Sequence, residues 1–568
     1  MQLAMKPRKL AEGGFSSFRK LPILIGLLIL VFFFLLPIIR LLFMSFTSGE
    51  SLTISTYSEV LKESVTWKTL GNTLYTVAGS TVLSMLLGIS MAAVMAYTNI
   101  RGKSVMQLFI YLPFIIPSYI TTLAWVQFFS ESGPLGWMPD WMIPNLYSVG
   151  GIIFVLGISH YPLVYLMTVQ VFRRIPRDAE LAASVSGASR FTSWRKVILP
   201  MALPGICSGG LLAFLSNLDN FGVPAFLGIP ANIRVLSTYI YEQVIGYGPS
   251  AFSRAAVLSV LLGIVAIAGT LVQLWFVRRS KVTETTVPDD EPRIELRSGR
   301  RKLMEAILWI FLLGTSLVPF LAMAAVSLLQ AYGIDLSWQN LSLENYRYIL
   351  LEDEKVLRSL GNSLLLGVIT AAICLVFGTL FAYYRSTNTG KLPKVMEAII
   401  TTPYALPGTV LALCIILMWM QPLPGWYPGV YGTPAILLIA YITRFFVLQF
   451  RGSYTAFTQL DVRMEEAART NGANYFTRWR QIILPLILPG VLSGALLVFL
   501  TSLTELTVSS MLWSSGAETV GVIIFSFEQA GYSTYSTAFS SLIVLAILLC
   551  GISYLVMQRK WKQRGKRL

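Results

Sequence analysis

Residues 465–489 of the chain read EEAARTNGANYFTRWRQIILPLILP, and residues 180–204 read ELAASVSGASRFTSWRKVILPMALP. Gly472 follows Gly187 by 285 positions, and the Trp, the Leu-Pro pair and the last Pro of each stretch keep the same offset. Composition alone does not produce so many matched residues at one spacing. Both stretches are polar and basic, and apolar sequence bounds them. The pattern therefore predicts two cytoplasmic elements in two halves of one membrane protein.

The composition is that of an integral membrane protein. Of 568 residues, 55% are hydrophobic and 13% are charged, whereas soluble domains carry about 25% charged residues. The net charge of +16 raises the question of nucleic-acid binding. Its basic residues lie in short loops between apolar segments, which is typical of membrane topology and excludes a nucleic-acid partner. The four cysteines are scattered singly, so we predict neither a disulfide framework nor a metal site.

Twelve segments are long and apolar enough to cross a hydrocarbon core of about 30 Å, which requires about 20 residues of helix. In the first half they are 21–43, 70–97, 105–129, 149–171, 201–228 and 254–277. In the second half they are 304–330, 360–384, 395–420, 433–450, 486–513 and 537–557. With the N-terminus inside, the inner loops and tails hold 36 of the 44 Lys and Arg residues. This asymmetry predicts that both termini are cytoplasmic.

The duplication extends beyond the opening stretch, because Leu70-Gly71-Asn72-Thr73 returns as Leu360-Gly361-Asn362-Ser363. Both halves have the same orientation, so the repeat is parallel. The polar segment between them contains two prolines and is expected to be a flexible linker. The predicted organisation is 1–68 (N-terminal tail, first membrane helix and outer loop), 69–277 (first repeated domain), 278–303 (cytoplasmic linker), 304–358 (seventh membrane helix and outer loop), 359–557 (second repeated domain) and 558–568 (basic cytoplasmic tail).

The opening motif resembles the signature of permease subunits of binding-protein-dependent ABC importers, Glu-Ala-Ala, Gly, then Ile-x-Leu-Pro. The second half has Glu466-Ala467-Ala468, Gly472 and the complete Ile-x-Leu-Pro. The first half has Leu181 in the Glu position, and Glu180 lies one residue earlier. In that family the motif implies a short cytoplasmic helix that enters a cleft of the ATPase subunit. The coupling residues that the resemblance implies are Glu180, Ala182, Ala183, Gly187, Glu465, Glu466, Ala467, Ala468 and Gly472.

The resemblance implies an all-α integral membrane protein with the type I ABC importer permease fold, about twelve transmembrane helices in two parallel six-helix repeats. Its implied partners are two copies of an ABC ATPase subunit, an extracytoplasmic substrate-binding protein and the lipid bilayer of a bacterial cytoplasmic membrane. A phosphate loop requires Gly-x-x-x-x-Gly-Lys-Ser/Thr, and the segment ending in Gly102-Lys103-Ser104 has Tyr97 at the first glycine position. We therefore expect no catalytic residues and no cofactor in this chain, with ATP and Mg bound by the partner ATPase.

Two carboxylates lie in or beside the fifth helix of each repeat. Asp219 and Glu505 are costly there, since a carboxylate in a membrane segment costs about 2.5–3.5 kcal/mol. Each either lines the translocation pathway, as the resemblance implies for the fifth helix, or makes a structural hydrogen bond near the helix end. The predicted pathway set is Asn217, Asp219, Asn220, Thr501, Thr504 and Glu505. We interpret His160 as a packing residue and expect Arg444 to extend to the inner membrane interface.

The fused halves and the local sequences around Asp219 and Glu505 most resemble ferric-iron permeases. Permeases for thiamine, phosphonates or sugar phosphates have a similar design and remain alternatives. A secondary transporter can also have twelve helices in parallel halves, but it has no reason to duplicate the cytoplasmic motif. A membrane enzyme would need a nucleophile or paired acid and base groups, which the sequence does not offer. We therefore predict a permease subunit rather than an enzyme.

Overall fold

The computed structural model describes residues 20–48, 51–246, 250–278, 289, 291–422 and 429–565. The N-terminal tail, residues 279–288 and 290 of the predicted linker, and the last three residues therefore lie outside the described residues. The first half contains α1 Lys20–Leu30, α2 Leu36–Ser45, β1 Thr47–Ser48, β2 Ser51–Leu52, α3 Ser55–Lys62, α4 Ser64–Tyr97, α5 Lys103–Ile115, α6 Ser118–Phe128, α7 Val149–Arg174, α8 Arg177–Val185, α9 Arg190–Ser193, α10 Leu199–Asp219, α11 Gly222–Leu227, α12 Leu236–Ile245 and α13 Ala251–Arg278.

The second half is also helical. It contains α14 Ser298–Ser316, α15 Val318–Val326, α16 Glu344–Arg347, α17 Glu354–Thr387, α18 Lys391–Ala405, α19 Gly408–Trp419, α20 Pro434–Thr458, α21 Val462–Thr470, α22 Tyr475–Arg478, α23 Leu484–Leu503, α24 Ser509–Leu512, α25 Val520–Gln529 and α26 Ser533–Gly565. Short π-helical or 3-10 turns occupy Val31–Leu35, Asp140–Met142, Trp194–Ile198, Trp338–Asn340, Tyr348–Glu352 and Trp479–Ile483. The two strands pair antiparallel as one hairpin, with Thr47 opposite Leu52.

Ten helical segments within the described residues have the length and composition of a membrane crossing, and the number is twelve if each of two bent pairs forms one span. The bends lie between α5 and α6, at 101°, and between α18 and α19, at 109°. Pro117 and Pro407 follow the two break residues, Ile116 and Leu406, which have extended backbone. A proline disfavours helical backbone in the residue before it, so it breaks each helix there. The prediction of about twelve membrane helices is confirmed.

The described chain forms two compact units. The N-repeat unit is drawn from Leu61–Tyr239, Leu261–Asp353 and Ile524–Leu568. In it α4, α7 and α10 pack together, and a Cβ at Gly88 of α4 would lie 2.8 Å from the carbonyl oxygen of Tyr161 on α7. Helix α14 packs against α5, where the Ser316 hydroxyl donates to the Phe109 carbonyl at 2.7 Å. The first helix of the second half therefore packs with the first repeat.

The C-repeat unit is drawn from Met1–Val60, Ile240–Val260 and Glu354–Ile523. Helices α17, α20 and α23 form its centre as α4, α7 and α10 do in the other unit. The N-terminal helix packs here, with α2 against α19 and α1 against α18. The rings of Phe33 and Trp419 stack with centroids 5.6 Å apart. The helix that precedes the first repeat in sequence therefore packs with the second repeat. The domain boundaries drawn from the sequence stay a prediction.

Candidate coupling helices and helix-break sites

The first motif forms α8, a nine-residue helix that begins after Pro176. Asp178 and Glu180 lie in its first turn, where carboxylates interact favourably with the helix dipole. It ends at Gly187, which has a φ of +81°, and the next residue's N–H donates to the Ala183 carbonyl at 3.0 Å. A left-handed residue after the last turn is a common helix stop and favours glycine.

The second motif forms α21 by the same local rules. The Asp461 side chain accepts from the Arg463 N–H at 2.9 Å, which caps the first turn. Gly472 has a φ of +79°, and the N–H after it donates to the Ala468 carbonyl at 3.0 Å. A Cβ at Gly187 or Gly472 would meet no atom within 4 Å. Backbone conformation within this chain therefore explains both glycines without a close contact.

Most of the predicted coupling residues are accessible on this chain. Ala182, Glu466 and Ala467 are exposed, Ala183 is half-buried and Ala468 is buried. The side chain of Glu465 lies outside the described residues. The first motif also exposes three apolar side chains, those of Leu181, Val185 and Phe191.

Glu180 differs from the other predicted coupling residues. Its carboxylate pairs with the guanidinium of Arg293 and accepts from the Tyr97 hydroxyl at 3.2 Å. Arg293 belongs to the predicted linker, so Glu180 faces another part of this chain. The end of the predicted linker thus contacts α8, and its flexibility stays a prediction.

The N-repeat unit has a helix break where α10 ends and α11 begins. Asn220 spans the break, since its Oδ1 accepts from the Val223 N–H at 2.9 Å and its Nδ2 donates to the Ser118 hydroxyl at 2.7 Å. Ser118 is the first residue of α6, immediately after the bend in the third helix. Two chain breaks are therefore joined by one amide side chain.

Asn217 lies on α10, one turn before Asn220. Its side chain is buried and makes two further polar contacts. Its Oδ1 lies 2.7 Å from Nδ1 of His160, and its Nδ2 donates to the Thr81 hydroxyl at 3.2 Å. His160 is buried, in agreement with its interpretation as a packing residue with a hydrogen-bond partner. Asp219 is half-buried at the end of α10.

The C-repeat unit has the equivalent break between α23 and α24. Glu505 accepts hydrogen bonds from the Val508 N–H at 2.8 Å and from the Ser509 N–H and hydroxyl at 2.9 and 2.8 Å. Nη1 of Arg444 lies 3.9 Å from its Oε1, and the two side chains are 12% and 5% exposed. Arg444 lies near the middle of α20, so it turns towards Glu505 and does not extend to the inner interface as we expected.

The other predicted pathway residues of this half bond to their own helix. The Thr501 hydroxyl donates to the Leu497 carbonyl at 2.8 Å, and the Thr504 hydroxyl donates to the Leu500 carbonyl at 3.2 Å. The structure therefore groups Glu505 with Arg444 and Ser509, two residues that the sequence analysis did not assign to the site. Among the described residues, no group of three or more His, Cys, Asp or Glu side chains has the placement to hold a metal ion.

Comparison with known proteins agrees with this architecture. The family described as "Binding-protein-dependent transport system inner membrane component" matches residues 84–282 and 374–566. The ferric transport system permease protein FbpB of Actinobacillus pleuropneumoniae is 22% identical over 537 residues, 92% of this chain and 76% of that protein. The spermidine/putrescine permease PotC of Escherichia coli is 29% identical over 230 residues, 40% of this chain and 84% of that protein. The molybdenum permease ModB of Mycobacterium bovis is 34% identical over 196 residues, 34% of this chain and 72% of that protein.

The family matches twice, once in each half, and the two matches together cover more than half of the chain. Their positions agree with the two repeats, the twelve apolar spans and the duplicated short helices α8 and α21. This chain therefore belongs to the family of binding-protein-dependent transport system inner membrane components, as a multi-pass permease with two fused permease repeats.

Proposed function

We propose that this chain imports ferric iron across a bacterial cytoplasmic membrane. An extracytoplasmic binding protein delivers the solute, and two copies of a separate ATPase subunit supply the energy. The observation that carries the proposal is the extent of the match. The relative named for ferric transport aligns along 92% of this chain and so shares its fused two-repeat length. The polyamine and molybdenum permeases match along 84% and 72% of their own lengths, which is only 40% and 34% of this chain. We propose further that both termini are cytoplasmic, because 35 of the 44 Lys and Arg residues then lie inside when Arg444, near the middle of α20, is left out.

The path from the coupling helix to the break is short in sequence. Helix α8 leads through α9 and a π-helical turn, Trp194–Ile198, directly into α10. Trp194 packs against Tyr97 and Phe172 with ring centroids 5.3 and 5.7 Å away. Helix α10 has 21 residues and is therefore about 32 Å long. In our proposal, a movement of α8 by the ATPase rotates α10 as a rigid rod and displaces the break at its far end.

The two carboxylates have different parts in this proposal. Glu505 is buried and accepts three hydrogen bonds, so its first role is to hold the break in the C-repeat unit. Asp219 is half-buried, and we assign it to the translocation pathway with Asn217 and Asn220. A carboxylate on the route favours a cationic solute, whereas it opposes a phosphonate or a sugar phosphate. Asp219 therefore supports a cation over those alternatives.

The test is uptake of radiolabelled ferric iron by cells that lack the chain and its adjacent ATPase and binding-protein genes, before and after the genes are restored. We expect uptake to return only with all components and to resist excess spermidine, molybdate, thiamine and phosphonate. Restored uptake of one of those solutes without ferric uptake would overturn the ferric assignment. Uptake that proceeds with an ATPase inactive in hydrolysis would instead favour a secondary transporter.

A further inference from the structure

The end of the inter-repeat linker is built into the first coupling site. Its described residues are Asp289 and 291–297, which we call the linker clamp. The N–H groups of Arg293 and Ile294 both donate to the Tyr97 carbonyl, at 2.9 and 2.8 Å. The Leu296 N–H donates to the Asn99 side chain at 3.0 Å. These hydrogen bonds, none of which involves a charged side chain, hold the linker clamp against the C-terminal end of α4.

Two arginines then tie the linker clamp to α8. Arg293, whose side chain is 6% exposed, pairs with Glu180 and donates to the Ile175 carbonyl at 2.6 Å. Arg177, the first residue of α8, donates from Nε to Asp289 at 2.6 Å. Burial alone would raise the pKa of Asp289, but the Glu291 N–H and the two guanidinium groups lower it overall. Asp289 is therefore ionised at neutral pH, and both arginines have a charged partner.

Helix α8 needs such a tie because packing does not hold it. None of its residues is buried, so little of the hydrophobic effect is available to fix it. A cavity of about 500 Å³, lined in part by Glu180, Leu181, Trp194 and Arg293, lies beneath it. The charged contacts with the linker clamp are therefore what sets the position of α8 on the N-repeat unit.

The second coupling helix is held differently. Within the part of the chain that the structure describes, the hydrogen bonds of α21 run among residues 461–473. The equivalents of Tyr97 and Thr98 are Thr387 and Asn388, and their side chains bond to carbonyls of their own helix, α17. In the described C-repeat unit, Ala468 is the buried residue of α21.

We propose that Arg293 is a positioning residue for energy coupling, and that the linker clamp joins α8 to α14. Helix α14 begins at Ser298, directly after the linker clamp, and packs against α5, which precedes the bend in the third helix. A push on α8 thus reaches two membrane helices, α10 through the chain and α14 through the ion pairs. This rests on the proposed function only for the source of the push, because the linker clamp itself belongs to the isolated chain.

The test begins with hydrogen exchange on the full-length permease in lipid nanodiscs, without ATPase. We expect Arg293→Ala to speed exchange at 177–185 at least tenfold and to leave 462–470 unchanged. Arg297→Ala, which removes an exposed basic residue of the same segment, is the matched control and should change neither. The charge exchange Arg293→Glu with Glu180→Arg should restore most of the protection. If Arg293→Ala does not fold, Arg293→Lys should still raise exchange at 177–185. Arg293 reaches Glu180 and the Ile175 carbonyl with two different guanidinium nitrogens, and the single ammonium nitrogen of lysine does not reproduce that fork.

The same variants in the reconstituted complex separate this inference from the proposed function. Arg293→Ala should keep ATP hydrolysis within twofold and lower solute transported per ATP at least fivefold, with rescue by the charge exchange. Unchanged exchange at 177–185 in folded Arg293→Ala would overturn the linker clamp. Faster exchange with an unchanged transport-to-hydrolysis ratio would overturn the positioning role. A different transported solute would overturn the ferric proposal and leave the linker clamp intact.

Discussion

The two helix breaks share one capping hydrogen bond and differ in charge. Asn220 and Glu505 are equivalent by the 285-residue offset of the repeat. Each accepts a hydrogen bond from the N–H three residues later, at 2.9 Å from Val223 and 2.8 Å from Val508. One is a neutral amide, and the other is a carboxylate with an arginine 3.9 Å away. The cap is therefore the shared feature, and the charge is particular to the second half.

The charge difference involves three positions in each half. Arg444 of α20 is equivalent to Ser159 of α7, since the two helices begin 285 residues apart. Gly408 of α19 is equivalent to Ser118 of α6, at an offset of 290. In the C-repeat unit a Cβ at Gly408 would collide with the Arg444 guanidinium. The serine hydroxyl that serves Asn220 at the first break therefore has no room at the second.

This comparison teaches that the three residues form one set. Gly408 leaves space for the Arg444 guanidinium, and the positive charge of Arg444 compensates the negative charge of Glu505. Replacement of a buried ion pair by uncharged groups is often neutral, whereas removal of one partner leaves an uncompensated buried charge. The two halves thus form the same capping hydrogen bond with alternative sets of residues, and mixtures of the two sets should destabilise the protein.

The largest effect is expected from breaking the ion pair. Arg444→Ser should leave Glu505 buried without its counter-charge and lower the free energy of unfolding by about 3–5 kcal/mol. Glu505→Gln should cost a similar amount, because Arg444 loses its partner and one of the N–H donors loses its acceptor. The measurement is unfolding of the purified permease in detergent by denaturant. Ser159→Ala in the other half is the control and should change stability by less than about 1 kcal/mol.

From sequence alone, a pathway role for Glu505 implies that Glu505→Gln lowers transport and leaves assembly intact. Because Glu505 accepts three hydrogen bonds at the helix break, we instead expect Glu505→Gln to reduce the amount of folded protein. The lower transport would then follow from that loss. Stability of Arg444→Ser within about 1 kcal/mol of the unsubstituted protein would contradict the compensation argument.

A smaller effect is expected at Gly408. Gly408→Ala should displace the Arg444 guanidinium and destabilise the protein by about 1–3 kcal/mol, the usual cost of overpacking. With Arg444→Ser in the same chain, the nearest obstacle is gone and the cost should fall, although Cγ2 of Thr507 still lies 2.8 Å from the added methyl group. Gly361→Ala on α17 is the matched control, since a Cβ there meets no atom within 4 Å. Equal costs of Gly408→Ala with and without Arg444 would show that the two residues are independent.

The coupling helices offer a third contrast, in docking rather than stability. Leu181 and Glu466 occupy equivalent positions, and both are exposed. We expect Glu466→Ala to weaken binding of the ATPase by about 1–2 kcal/mol, since a charged contact at an interface is lost. Leu181→Ala should have the smaller effect. Cysteines at Ala183 and Ala468 should both crosslink to the ATPase in a complex that transports, and crosslinking at neither would refute the assignment of α8 and α21.

Much of the fold follows from the sequence, because it depends on local rules. Apolar length defines the spans, the prolines define the bends, and the glycines end α8 and α21. The packing partners do not follow in this way. The offset shows that α1 and α14 lie outside the repeat, but not that α1 packs with the second repeat and α14 with the first. That choice depends on the shape of surfaces formed by helices far apart in sequence.

The site residues divide in the same manner. Asn220 and Glu505 were found because a polar group in an apolar helix is conspicuous. Their partners were not assigned, since a serine at position 118 or a glycine at position 408 is ordinary in any helix. The repeat does contain a usable signal, because the three differences between the halves occur together. To use this signal one must know that α6, α7 and the end of α10 lie close together. Only the structure provides that information.

The smallest expected effect is the most informative. The triple variant Gly408→Ser, Arg444→Ser and Glu505→Asn places the neutral set of the first half into the second. We expect the triple variant to be clearly more stable than Arg444→Ser alone. The remaining cost relative to the unsubstituted protein comes from the new Cβ at position 408, which lies 2.8 Å from Cγ2 of Thr507. The asparagine introduced at position 505 should cap α24 as Asn220 caps α11. The hydroxyl of the serine introduced at position 408 should accept a hydrogen bond from the amide N–H of that asparagine. Uptake in this variant then reports on charge without loss of fold. Retained ferric uptake would assign the ion pair to structure alone, whereas lost uptake by a stable triple variant would place the Glu505 charge on the pathway. A triple variant as unstable as Arg444→Ser would refute the equivalence of the two breaks.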